Sequence, residues 1–159
     1  MPGSRLTVGL DTSFVVPLFS SWHSFHPATV AEYEALRRRR SQLVLPLHAL
    51  LESFSVLTRL PEGRRFSPAE AHLMLQQAFS TDTVVPGLEP ELVWSCIARL
   101  SREGVAGGRV YDAVIAHTAA QAGATVMLTW NEKDFLAVAP PGLEIRRPGG
   151  PPARGSRIH

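Results

Sequence analysis

The stretch from Leu6 to Phe19 constrains this chain more than any other. Leu6, Val8 and Leu10 alternate as in a strand, and the strand pattern runs into an acid, Asp11, followed by the hydroxyl residues Thr12 and Ser13. A second apolar segment, Phe14 to Phe19, begins at once. Ionised carboxylates are rarely buried without a partner or a metal. A fold built on this segment must therefore give Asp11 something to face. Either it caps the next helix through backbone amides, or it belongs to a site.

The rest of the chain alternates strand and helix signals. Phe14 to Phe19 reads as a short helix or turn, with Pro17 suited to a first helical turn. Ser21 to Pro27 is a loop, and Ala28 to Arg40 is helical, with Val30, Tyr33 and Leu36 on one side. Leu43 to Leu45 is a short strand stopped by Pro46. Leu47 to Leu60 is a helix with an apolar stripe of Leu47, Leu50, Leu51, Phe54 and Leu57. Ser67-Pro68-Ala69-Glu70 opens another helix, with Ser at the cap, Pro in the first turn and Glu three residues after the cap. Thr83 to Val85 is a strand, and Glu89 to Arg102 a helix. Val110 to Ala122 is small and apolar enough to be a buried helix, which Gly123 ends. Ala124 to Leu128 is a further strand and Leu143 to Ile145 an edge strand. The pattern predicts an α/β fold with a mainly parallel sheet. Residues 1–147 form one domain, without repeats, and the Pro/Gly/Arg-rich tail 148–159 is expected to be mobile.

Composition excludes several classes. The chain has 159 residues, 45% hydrophobic and 19% charged, which suits one globular domain and not a disordered chain. Net charge is only +2 although the pI is about 9.2, so a nucleic-acid partner is permitted but not demanded. The single Cys96 rules out an intrachain disulfide and a cysteine-based zinc site, and fits a reducing cytoplasm. Its apolar neighbours make it a buried, inert thiol. No apolar run reaches the ~18 residues that a membrane helix needs. Asp11 interrupts the first apolar run, so the N-terminus does not read as a signal peptide. Gly104 to Gly108 lacks the Lys-Ser or Lys-Thr of a phosphate loop, and no Gly-x-Ser-x-Gly elbow occurs.

Three carboxylates stand in apolar places: Asp11, Glu52 and Asp112. Each has a bland explanation. Asp11 is placed to cap a helix, Glu52 to pair with His48 one turn earlier, and Asp112 to answer a helix dipole. Together they suggest more. Sites in open α/β sheets form at the carboxyl ends of the strands. Asp11 occupies such an end, as do Thr129 and Asn131, and Asp112 at a helix start is compatible with the same edge. Acids gathered in one cleft hold protons unless a cation is present. A hard divalent ion such as Mg²⁺ takes oxygen ligands and generates a nucleophile for phosphodiester hydrolysis. The run Arg37, Arg38, Arg39 and Arg40 is either a solvated helix end or a phosphate-contacting patch.

At this point the residues resemble a PIN domain, and in particular the VapC-type toxin ribonucleases of toxin–antitoxin pairs. Four segments carry the likeness: Leu10-Asp11-Thr12-Ser13-Phe14-Val15-Val16, Glu52 within Leu50 to Phe54, Tyr111-Asp112-Ala113-Val114-Ile115-Ala116, and Leu128-Thr129-Trp130-Asn131-Glu132-Lys133-Asp134-Phe135. The resemblance runs from near residue 5 to near residue 146. It implies a three-layer α/β/α fold. It implies Mg²⁺, with Mn²⁺ as substitute, held mainly by Asp11 and Asp112, with Glu52 as a further ligand or water-positioning acid. Thr12, Ser13 and Thr129 would supply hydroxyl contacts. RNA as substrate and an antitoxin covering the cleft follow from the same likeness. Paired assemblies are common in this kind of family, although the sequence does not state the oligomeric state, and no membrane association is expected without a long apolar run. One position departs from the family's pattern: Asn131 stands where many members carry an acid, which weakens one metal site, and Asp134 compensates only if the turn folds back. The competing expectations are a PIN domain that binds RNA or protein without catalysis, and a structural domain whose acids are only caps and pairs.

Overall fold

Five short strands pair in parallel in the order β3-β2-β1-β4-β5 in a computed structural model that describes residues 5–150. The elements run β1 (Thr7–Leu10), α1 (Thr12–Phe19), α2 (His26–Arg38), β2 (Gln42–Val44), α3 (Leu47–Arg59), α4 (Pro68–Phe79), β3 (Thr83–Val84), α5 (Pro90–Glu103), α6 (Arg109–Gln121), β4 (Val126–Leu128), α7 (Glu132–Val138) and β5 (Glu144–Arg146). Strands in an all-parallel sheet are covered on both faces and read as continuous apolar runs. Val8, Leu10, Leu43, Val44, Val126, Met127 and Leu128 are accordingly all buried. Right-handed crossovers carry α1 to α4 over one face and α5 to α7 over the other. The result is the parallel α/β fold that the sequence pattern predicts, in the α/β/α layering that the family resemblance implies. No helix among the described residues is long and apolar enough to cross a membrane.

The strand order positions the site. From β1 the chain moves outward through β2 to β3. From β4 it moves the opposite way, to β5. β1 and β4 lie side by side, with Gly9 opposite Met127 and Leu10 opposite Leu128. Adjacent strands whose connections leave in opposite directions open a crevice beyond their carboxyl ends. Asp11 and Thr129 are the first residues past those two ends.

The central strand is held by close packing at Gly9. A Cβ there would lie 2.8 Å from Met127 Sδ and 2.9 Å from Ala119 Cβ on α6. Only glycine lets α6 and the Met127 side chain sit this close to β1. Gly9→Ala is expected to lower stability by about 1–3 kcal/mol through overpacking, as measured by urea unfolding. An unchanged midpoint would mean that α6 is free to move aside.

Several details differ from the sequence expectations. Helix α7 takes the place of what reads as a turn, because a seven-residue element is too short to show a helical period. Pro17 lies in the second turn of α1 rather than the first, so the Ser13 carbonyl has no i+4 amide to accept. The stripe read on α3 is its core face only in part. Leu57 is buried and Leu50 packs against the core, but Leu47, Leu51 and Phe54 are exposed. Ala49 and Ser53 are buried instead, and Ser53 satisfies its hydroxyl on the Ala49 carbonyl at 2.6 Å. The start of α4 is as expected, a capping box between Ser67 and Glu70. Gly123 ends α6 at φ +91°, a conformation that favours glycine. Within the predicted tail, the Gly149 amide donates to Glu32 Oε2 at 2.7 Å and Pro148 is buried. Residues 151–159 lie outside the described residues.

Candidate active site

Asp11 is 3% exposed and serves two purposes at once. Its Oδ1 accepts the Phe14 amide at 3.1 Å, capping α1, as the simplest sequence reading had it. Oδ1 also accepts the Ser13 hydroxyl at 2.8 Å, and Oδ2 accepts the Thr129 hydroxyl at 2.8 Å. Ser13 Oγ in turn accepts the Trp130 amide at 2.8 Å, and Thr129 Oγ1 accepts the Asn131 amide at 2.9 Å. A hydroxyl has one proton to donate. Both protons are spent on Asp11, so the 3.1 Å approach of Ser13 Oγ to Thr129 Oγ1 is a contact between two oxygens that serve the same acid. This network ties the end of β1 to the end of β4. Burial still outweighs it: the Asp11 carboxyl is pushed up to about 6, with the bonds from Ser13, Thr129 and Phe14 opposing the shift.

Glu52 comes from α3 and Asp112 from the first turn of α6. Their bland explanations also hold. His48 Nε2 lies 3.6 Å from Glu52 Oε2, and Asp112 sits at a helix N-terminus. Yet Asp11, Glu52 and Asp112 line one open cavity of about 390 Å³, together with Thr12, Ser13 and Asn131. The Asp112 carboxyl is raised to about 6, first by burial and then by the charges of Asp11, Asp134 and Glu52, with Arg109 opposing. A helix N-terminus favours the ionised form, so burial and the neighbouring acids together prevail over it.

Two carboxyls whose charged forms are disfavoured, Asp11 by burial and Asp112 by burial and neighbouring acids, form a donor set that a cation relieves. Thr12 Oγ1, beside them, is buried with no hydrogen-bond partner in the protein. No three His, Cys, Asp or Glu side chains among the described residues are grouped closely enough to hold an ion by themselves. A closed chelate such as structural zinc would need such a group. Mg²⁺ does not, because it keeps several waters and binds through one or two carboxylates plus substrate phosphates. The residues present therefore fit a hard divalent cation bound in an open, water-rich site.

The remaining candidates divide. Asn131 lines the cavity and is the residue preceding α7, with no side-chain capping bond. Asp134 does not line the cavity. It stands in the first turn of α7, with Oδ1 3.7 Å from Arg109 Nη2, and reaches the site only through its charge on Asp112. Arg37 to Arg40 are not brought to the cleft. They close α2 and precede β2, which puts them at the amino edge of the parallel sheet, opposite Asp11. Arg37 donates to Thr81, Arg38 pairs with Glu34 at 3.9 Å, and the Arg40 carbonyl accepts from Arg5. The cavity also has members that the acids did not point to: His23, Phe25 and Trp130. Their signal in the sequence is the aromatic density of Trp22-His23-Ser24-Phe25-His26 in a loop that has no core to fill.

Comparison with known proteins agrees with this geometry. The PIN domain family profile matches residues 8–140. Ribonuclease VapC40 of Mycobacterium tuberculosis is 36% identical over 117 residues, covering 74% of this chain and 81% of that protein. Ribonuclease VapC27 of the same organism is 33% identical over 114 residues, covering 72% and 77%. Among solved structures, M. tuberculosis VapC20, described as a sarcin–ricin loop cleaving toxin, superposes with a TM-score of 0.63 at 18% identity, over 82% of this chain and 94% of that one. PAE2754 from Pyrobaculum aerophilum does so with a TM-score of 0.58 at 19% identity, over 88% and 89%. At such identities these two superpositions speak for the fold. With the profile spanning most of its length and two ribonuclease relatives above 30% identity, the chain belongs to the PIN-domain family, among its VapC-type ribonucleases.

Proposed function

We propose that this chain is an endoribonuclease that hydrolyses RNA phosphodiester bonds with Mg²⁺, or Mn²⁺ in its place, as the toxin of a toxin–antitoxin pair. The observation that carries the reading is the convergence of Asp11, Glu52 and Asp112, from three separate elements, on one cavity at the β1/β4 crevice. Asp11 and Asp112 would hold the ion, and Glu52 would be a further ligand or would orient water. A bound divalent ion supplies Lewis acidity toward the phosphate and a water of lowered pKa.

The chain's own residues do the rest. Ser13 and Thr129 aim the Asp11 carboxylate by donating to both of its oxygens. Glu52, half-buried beside His48, is placed at the cavity wall to accept a proton from water. Without a cation the acids repel RNA phosphate, so substrate and ion are expected to bind together. Asn131 favours a second reading, an RNA- or protein-binding domain without catalysis, because it replaces a charge with a neutral amide. A cytoplasmic place of action and an antitoxin that covers the cleft accompany the leading reading; pairing of two copies is compatible with it.

The test is incubation of partner-free protein with mixed RNA in Mg²⁺ or Mn²⁺, beside Asp11→Asn. Cleavage by wild type alone is expected. If wild type and variant leave the RNA equally intact while wild type binds it, the binding-module reading replaces catalysis.

A further inference from the structure

We infer that Trp130, Phe25, His23 and Trp22 form a base-stacking subsite beside the acids, with Arg64 and Arg147 as its phosphate-facing arms. The inference rests on RNA being the ligand of this cleft. It names side chains to which neither the acidic motif nor the family likeness assigns a role.

The four rings make a continuous row. Trp130 and Phe25 are stacked, with centroids 4.0 Å apart and planes 7° from parallel. Phe25 to His23 is 5.4 Å at 38°, and His23 to Trp22 is 5.5 Å at 46°. The inner three line the same cavity as Asp11, Glu52 and Asp112. The outer ring, Trp22, is 42% exposed. The row thus leads from solvent to the acids.

Packing does not explain it. None of the four rings belongs to the buried core or packs against it, whereas Phe19, Tyr33 and Phe66 do. Nor is the row loose. Trp130 is held at its indole nitrogen by Thr29 Oγ1 at 2.9 Å, and at its amide by Ser13 Oγ, which also holds Asp11. The Phe25 amide donates to His23 Nδ1 at 3.1 Å, and the His23 amide to the Ser20 carbonyl at 2.9 Å. A rigid aromatic platform tied by two hydrogen bonds to the principal acid is suited to fix a base at a set distance from the bond to be cut.

Charge supports the assignment. The cavity itself is acidic, so attraction for the RNA backbone must come from its rim. Arg64 lies over the Trp22 ring at 4.6 Å, and Arg147 over the Trp130 ring at 5.7 Å. Both are exposed, one near each end of the row. The arginine run at Arg37 to Arg40 stands at the opposite sheet edge and cannot serve here. Bases stack on aromatic side chains without needing a particular sequence, and unpaired bases are the ones free to do so.

The experiment uses the full chain carrying Trp94→Phe, so that emission reports only Trp22 and Trp130 of its three tryptophans. Asp112 is kept, and Ca²⁺ replaces Mg²⁺ so that an oxygen-ligated ion is present while the strand stays uncut. The probes are an eight-residue oligoadenylate and the same ribose-phosphate strand with abasic positions, equal in charge. The base-containing strand should quench emission and bind about 5- to 150-fold more tightly than the abasic one. Trp22→Ala, and separately His23→Ala, should lose most of that margin while leaving abasic binding unchanged. With Mg²⁺ restored, Trp22→Ala should raise KM for RNA more than it lowers kcat. Equal affinity for the two strands, or Trp22→Ala and His23→Ala that bind and cut as the parent does, overturns the subsite while leaving the nuclease reading standing. Base-dependent quenching in a protein that never cuts RNA does the reverse.

Discussion

Asp112→Asn is expected to lower RNA cleavage by about a thousandfold and, in the same protein without divalent ions, to raise the melting temperature at pH 7.5. The first effect follows from removing a proposed ligand, since a bound divalent ion supplies several kcal/mol of charge stabilisation in the transition state. The second follows from the raised carboxyl. Asp112 titrates at about 6 in the fold against 3.8 ordinarily, so the folded state binds more protons than the unfolded chain between those values. Stability of the metal-free wild type therefore falls as pH rises through that window and stays low above it. Two pH units correspond to about 3 kcal/mol as an upper bound. Asp112 is only half-buried, and solvent screening brings this nearer 1–2 kcal/mol, or about 2–8 °C for a chain of this size. Well below 3.8 the carboxyl is protonated in both states and the variant's advantage should vanish. Added Mn²⁺ should raise the wild-type melting temperature and leave the variant's almost unchanged. A variant that melts lower than wild type at pH 7.5 would show that Asp112 is a structural cap rather than a strained acid of a site.

Thr129→Val should cost about 2–3 kcal/mol of stability at pH 7.5 and weaken Mn²⁺ binding about 10- to 100-fold. Valine keeps the volume but not the hydroxyl. Asp11 loses its only donor at Oδ2 among the described residues, and the Asn131 amide loses its acceptor. Both groups are at the joint between β1 and β4, and Thr129 itself is fully buried. The part of the cost owed to the Asp11 charge should shrink below pH 6, where that carboxyl gains its proton. Urea unfolding at pH 5 and 7.5, with calorimetry of Mn²⁺ binding, measures both effects. If stability and affinity match wild type, the hydroxyl is a bystander and the aiming of Asp11 lies with Ser13 alone.

For Asp11, Glu52 and Asp112, the bland and the functional explanations are not alternatives. Asp11 caps α1 through one oxygen while its other accepts a hydroxyl from across the sheet. Glu52 neighbours His48 and still lines the cavity. A cap or an i,i+4 neighbour is a local matter that sequence spacing exposes. Whether three such residues meet is not local. Their separations along the chain, from 11 to 52 to 112, are bridged only by the strand order and the crossovers. The stripe on α3 held at Leu50 and Leu57 and failed at Leu47, Leu51 and Phe54 for a related reason: helical periodicity shows that a helix has an apolar side, but not how much of it finds neighbours. Helix α7 was invisible because seven residues hold two turns and no repeat.

The sequence by itself determined the alternation of strands and helices, the family, and the identity of the acids, because these depend on periodicity, capping chemistry and short motifs read within a few residues. Tertiary structure alone decided which of them share a space. The strand order, which runs outward from β1 to one side and from β4 to the other, opened the crevice and gathered Asp11, Glu52 and Asp112 there. It sent Arg37 to Arg40 to the far edge, because a residue that precedes a parallel strand cannot lie beside one that follows its neighbour. It also laid Trp22, His23 and Phe25, from one loop, against Trp130, more than a hundred residues later. Contacts of that reach are set by the packing of whole elements, which no local pattern encodes.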